Sequence, residues 1–177
     1  MADPLHFVHP RSEPRDLVVE GKSIGHVALG EDLNDVIQDL GAPSSSDAAM
    51  GKSLSTWSGH GGSFLQVYAA RNFGHDQDKA LVHEIRTNSP VFRTIAGQGV
   101  GTPLGALTVR YGYLKTVGTY GFNGGRASVC DVPKRGVAFD LFSVHGAPNC
   151  IAVTVHVPGE DPTRTYLPIF ADFRPSN

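Results

Sequence analysis

The feature that most constrains this chain is an internal duplication. A constant shift of 71 residues pairs Ile24 with Ile95, Leu29 with Val100 and Gly30 with Gly101. The same shift pairs Leu33 with Leu104, Val36 with Leu107, Leu40 with Tyr111 and Gly41 with Gly112, and it needs no gap. Each copy has the makings of a short helix. Leu33, Val36, Ile37 and Leu40 recur at helical spacing and lay one apolar stripe. Leu104, Leu107, Thr108 and Tyr111 repeat it. Glu31 and Asp32 put negative charge where the helix dipole favours it. Thr102 followed by Pro103 reads as an N-cap and an N1 proline. Gly41 and Gly112 suit the position just past a helix, which takes left-handed backbone. Gly30 and Gly101 let the chain turn into the helix.

The stretches after each helix also correspond. Gly62 to Tyr68 matches Gly136 to Phe142, and Leu81 to Thr87 matches Cys150 to His156. All four are rich in strand-forming residues. Leu54 to Trp57 and Lys115 to Tyr120 are the candidate first strands. Short links rich in Gly, Asn and Asp predict antiparallel pairing: Ser58 to Gly62, Asn72 to Asp78, Asn123 to Gly125 and His145 to Asn149. The end segments Arg11 to Val19 and Arg164 to Phe173 each carry apolar residues suited to an edge strand. The expected fold is therefore α+β. It has two tandem repeats, each a short helix followed by an antiparallel sheet of about three to four strands. Residues 1–16 read as a flexible N-terminal arm, 17–92 as the first repeat and 93–177 as the second. Each repeat alone has a thin core, so the two should pack together or join sheets. The sheet face away from the helices is then expected to stay open for binding.

Bulk composition narrows function by exclusion. Lys plus Arg is 15 and Asp plus Glu is 17, so charge gives no attraction to nucleic acid or an anionic membrane. No apolar run is long enough to span a bilayer. The first residues lack the basic and apolar regions of a signal peptide. Two compartments follow: periplasmic or secreted, if a signal peptide was removed, or otherwise cytoplasmic. Only 18 % of residues are charged, Ser, Thr and Gly are abundant, and there are two cysteines, which together favour export.

The pattern Ile-x4-[Leu/Val]-Gly-x2-Leu-x2-[Val/Leu]-x3-[Leu/Tyr]-Gly followed by strands, over residues 24–158, resembles the tandem repeat of β-lactamase-inhibitor-like proteins. Similar units occur in small bacterial envelope lipoproteins. The resemblance implies the fold, export, and action by binding other proteins. It carries over no binding residue, because the family's inhibitory contacts sit in loops that share no motif with this chain.

Several strings imitate catalytic motifs and fail on context. Gly21 to Gly25 fits G-x-S-x-G, but extended sequence follows where a nucleophile elbow needs a helix. Gly21-Lys22-Ser23 and Gly51-Lys52-Ser53 lack the earlier glycine of a phosphate loop. His60-Gly61-Gly62 reads as a hairpin turn without a nucleophile. His145 and Cys150 lie close enough in sequence to suggest an activated thiolate, and they faintly resemble the His and Cys elements of cysteine transpeptidases. Those enzymes carry an arginine soon after the cysteine, where this chain has Ile151-Ala152-Val153. Cys130 and Cys150 are a candidate disulfide, or two buried thiols if the protein is cytoplasmic. His75, Asp76 and Asp78 group ligand atoms in one loop, without zinc-site spacing. His6 and His9 lie in the arm, and His83 and His156 lie on strands. Trp57, Phe64, Tyr68, Phe139 and Phe142 read as core. The expectation is a non-catalytic exported protein that binds another protein or an envelope component through a sheet face or loops, with no catalytic residue, cofactor or metal. The alternatives are a small cysteine enzyme using Cys150 with His145, and a cytoplasmic ligand-binding domain.

Overall fold

The computed structural model describes residues 15–71, 79–164 and 172–176. Its elements begin with three short strands, β1 (Leu17–Val19), β2 (Ser23–Ile24) and β3 (Val27–Ala28). Helix α1 (Leu33–Leu40) follows, then β4 (Ser45–Ala49), β5 (Lys52–Ser58), β6 (Phe64–Arg71) and β7 (Ala80–Thr87). After β8 (Arg93–Thr94) come helix α2 (Leu104–Tyr111), β9 (Lys115–Phe122), β10 (Gly125–Val132), β11 (Val137–Phe142) and β12 (Asn149–His156). A last strand, β13 (Arg174–Pro175), lies near the C-terminus. The fold is α+β and dominated by antiparallel sheet. The arm at 1–14 and the links at 72–78 and 165–171 lie outside the described residues.

A nine-stranded sheet runs β13-β9-β10-β11-β12-β7-β6-β5-β4. Eight of its strands form two antiparallel meanders that meet where β12 pairs with β7, and β13 adds the ninth beside β9. A second sheet runs β3-β2-β1-β8, with β1 and β8 parallel. The predicted first strands belong to β5 and β9, and each meander has four strands. Strand β4 escapes a hydrophobicity reading because its sequence, Ser45 to Ala49, is polar or small and largely exposed. Strand β10 escapes it because Gly125, Arg126 and Asp131 interrupt its apolar positions. The Asn123-Gly124 pair, both at positive φ, forms the two-residue turn between β9 and β10.

Both helices form where the apolar stripes place them, and the bounds of α1 shifted by 71 residues are those of α2. Val36, Leu40 and Leu107 are buried; Leu33, Leu104 and Tyr111 are partly buried against the same core. The clamps at the helix starts also correspond. Gly30 N donates to Val82 O and Gly101 N to Cys150 O, each at 2.7 Å. Val82 N and Cys150 N return the bond to Glu31 O and Thr102 O, each at 2.9 Å. The caps differ from expectation in detail. Asp32 is the N-cap of α1 and accepts from Asn34 N, whereas α2 is capped by Pro103 with no side-chain bond.

The main core lies between the helices and one face of the large sheet, with Trp57, Val67, Ile85, Phe139 and Val153 at its centre. Trp57 is locked there by its indole N–H, which donates to Gly41 O at 2.9 Å. The opposite face departs from expectation. It was expected to be open, yet Val117, Tyr120, Ala127, Val129 and Ala138 form a second buried cluster there, with Phe173 packed against it. The face opposite the helices is therefore interior over the second meander.

Candidate functional site

A buried polar network lies on the far face of the large sheet, and an open groove lies beside α2.

The network sits at the seam between the meanders. Strand register puts Glu84 opposite His156 and Arg86 opposite Thr154 across β7 and β12. Arg86 donates to Asp140 Oδ2 from Nε at 3.2 Å and from Nη2 at 2.7 Å. Tyr120 OH donates to the same oxygen at 2.9 Å, and Gln66 Oε1 accepts from Arg86 Nη1 at 3.1 Å. The guanidinium also lies over the Phe64 ring. His156 Nε2 is 2.9 Å from Asp131 Oδ1, and both side chains are buried. Burial holds the Glu84 carboxyl well above its usual range, opposed by the Arg86 charge. Burial and then the Asp140 charge push the Tyr120 phenol upward. Glu84 Oε1, Asp140 Oδ1 and Thr154 Oγ1 have no hydrogen-bond partner among the described residues. No group of three metal-ligating side chains forms among the described residues. This network is closed, and its chemistry is that of a structural ion pair.

The groove holds about 450 Å³. Leu104 and Thr108 of α2, Tyr113 and Leu114 after it, and Leu141 and Pro148 line it on the apolar side. Hydroxyls of Thr116, Ser128 and Ser143 line the rest, with Arg126 and Cys130. Its walls are fixed by the clamp at the start of α2, including Leu104 N donating to Pro148 O at 2.9 Å. Arg126 is engaged elsewhere: Nη1 meets Asp172 Oδ2 at 2.9 Å and Nη2 donates to Thr119 O. Cys130 Sγ lies 3.6 Å from Thr116 Oγ1, and burial raises the thiol, so it stays protonated. Among the described residues no carboxylate or imidazole lines the groove. Of the lining residues Tyr113 is 84 % exposed.

The residues singled out from sequence are dispersed. Cys130 and Cys150 are both free and buried. They sit on β10 and β12 with β11 between them, pairing with Phe139 and Leu141 of that strand. Two strand spacings of about 4.8 Å exceed the ~7 Å that a bridge spans. The candidate disulfide is therefore not made. Cys150 Sγ donates to Ala152 O at 3.2 Å, and burial raises its thiol strongly. His145 is exposed in the loop after β11, so the pair shows no activated thiolate. Ser23 lies on β2, with no helix after it, and Lys52-Ser53 opens β5. His60 to Gly62 is one 3-10 turn. His83 packs edge-on to Tyr68. Trp57, Tyr68 and Phe139 are buried, and Phe64 and Phe142 are half-buried. His6, His9, His75, Asp76 and Asp78 lie outside the described residues. The sequence reading missed the groove. The aromatic Tyr113, just past the glycine that ends α2, was its available signal.

No family model matches the chain, and no curated protein or solved structure does.

Proposed function

We propose that this chain is a non-catalytic binding protein, that it is built from two copies of one helix-plus-meander unit, and that it holds another protein at the groove beside α2. One observation carries the reading. The groove combines apolar walls and neutral hydroxyls with exposed Tyr113, and among the described residues no carboxylate or imidazole lines it. Such a surface offers burial and hydrogen bonds to a partner side chain but no group for proton transfer at neutral pH. Tyr113 is the natural anchor, because an exposed tyrosine supplies large contact area at small entropy cost. The duplication is supported by the shared helix bounds and the matching clamps at Gly30 and Gly101. Export remains part of the proposal on composition alone, since it gains nothing from the thiols.

Photo-crosslinking in the producing cell tests this. A benzophenone amino acid replaces Tyr113 in one version and the exposed His60 in another. The expected result is a discrete protein adduct from position 113 only. Thr108→Arg, which fills the groove from the exposed side of α2, should remove that adduct without changing circular dichroism. Equal adducts from both positions, or an adduct indifferent to Thr108→Arg, would overturn the reading.

A further inference from the structure

The two edges of the nine-stranded sheet are treated differently. On one side β13 covers β9, with Arg174 opposite Thr119 and Pro175 opposite Gly118. On the other side, among the described residues, β4 is the last strand and pairs only with β5. An edge presents unpaired backbone N–H and C=O groups, and proteins usually blunt it with charged side chains, proline, a bulge or a short strand. Strand β4 has no lysine, proline or bulge, and its one charged side chain is Asp47. Its residues are Ser45, Ser46, Asp47, Ala48 and Ala49, and its register with β5 runs without interruption. Its side chains are short, and Ser45 to Ala48 are exposed.

Beside this edge lies a second groove, about 620 Å³, on the face that carries α1. Leu33 and Asn34 of α1 form one wall, Ser46, Ala48 and the Met50 turn form the other, and the cationic Lys52 and Arg71 also line the groove. Ser46 Oγ meets Ser55 Oγ at 3.3 Å on this face, which fixes Ser46 and Ala48 towards the helix side and Asp47 away from it. A strand added to β4 would send alternate side chains over the groove, and the residue between them would stand beside Asp47.

Asp47 also selects the occupant. It is the central residue of the five and is exposed. Two copies of β4 paired about a two-fold axis would set one Asp47 against the other, and like charges directly opposite destabilise a sheet. Self-pairing is disfavoured on that ground. We propose that β4 is a strand-addition site for an extended segment of a partner protein, one carrying lysine or arginine between two apolar residues. Backbone hydrogen bonds supply the affinity, and the alternating side chains supply the choice of sequence. The site is separate from the groove beside α2 and does not depend on it.

Capped seven-residue peptides test the proposal by fluorescence anisotropy on the full chain. Valines flank a central lysine in one peptide and a central glutamate in the other. The lysine peptide should bind better. Asp47→Lys should invert the preference, with a total swing of about tenfold from cross-strand charge. A lysine peptide N-methylated at alternate residues should not bind, because it cannot form the ladder, and this arm leaves the protein unaltered. Thr108→Arg should leave binding unchanged, which separates failure here from failure at α2. Equal affinity for both peptides, an Asp47→Lys variant with unaltered preference, full binding by the N-methylated peptide, or no binding at millimolar peptide would each overturn the proposal.

Discussion

Arg86 and Asp140 form a buried ion pair across an intervening strand: Arg86 stands on β7, Asp140 on β11, and β12 runs between them. The guanidinium reaches over Thr154, its register partner on β12, to the one carboxylate oxygen that Tyr120 also binds. The contact therefore ties the first meander to the second above the seam. Replacing Arg86 with methionine strands a buried carboxylate and should cost roughly 3–5 kcal/mol in urea unfolding. Arg86→Met with Asp140→Leu should cost much less than the two single changes combined, because no charge is left alone. Additive losses would mean that the pair is not coupled.

Glu84 makes stability depend on pH. Burial favours its neutral form, against the Arg86 charge, and the carboxylates of Asp140, Asp161 and Asp131 push the same way as burial. The folded state thus keeps a proton that the unfolded chain releases near the ordinary value of 4.5. This contribution is complete below that value and is lost as pH rises towards the folded pKa. Glu84→Gln should flatten the fall in stability with rising pH, and the gain over the parent should grow from acid to neutral solution. Urea midpoints measured from pH 5 to pH 8 check this; parallel profiles for parent and variant would exclude it.

Much of the fold was legible because local physics specified it. The stripe from Leu33 to Leu40 has to bury one side, and the glycine after it has to turn the chain, so both helices could be placed from sequence. Strands such as β7 and β12 declared themselves through β-branched residues. Strand β4 did not, since an exposed edge needs no apolar alternation. The seam was illegible for another reason. Arg86 and Asp140 are 54 positions apart, and only the β12 to β7 pairing brings them together. A charged residue inside an apolar strand signals a partner somewhere, but not which one. The groove beside α2 arises from the space between a helix and the sheet, and no spacing in the sequence encodes it.

The glycines that end the helices carry a backbone requirement of their own. Gly41 has φ 81° and ψ 179°, and Gly112 has φ 73° and ψ −126°. The positive φ was expected; the ψ values lie outside the left-handed helical well. That region is nearly closed to residues with a Cβ, asparagine included. An added Cβ would meet nothing within 4 Å at either site, so the penalty is conformational and not a clash. Gly41→Val and Gly112→Val should each cost more than about 1 kcal/mol, and asparagine should not rescue either site. Calorimetry should show each thermal midpoint lowered by at least about 2 °C. Unchanged midpoints at both positions would remove the requirement.

The two thiols should behave as buried, neutral and separate groups. Cys150 is 1 % exposed and donates to Ala152 O, whereas Cys130 lines the groove beside α2 at 6 % exposure. Burial raises both thiols, which leaves little thiolate at neutral pH. A chromogenic thiol reagent should therefore react slowly with native protein, at Cys130 before Cys150, because only Cys130 borders open space. In denaturant without reductant both cysteines should titrate. Titration of neither would reveal a disulfide and require β10 and β12 to sit far closer than the intervening β11 allows. Fast native reaction at Cys150 would instead place its thiol in an accessible, activated setting and revive pairing with His145. If the slow pattern holds, stability owes nothing to oxidation, and the fold can form equally in a reducing or an oxidising compartment.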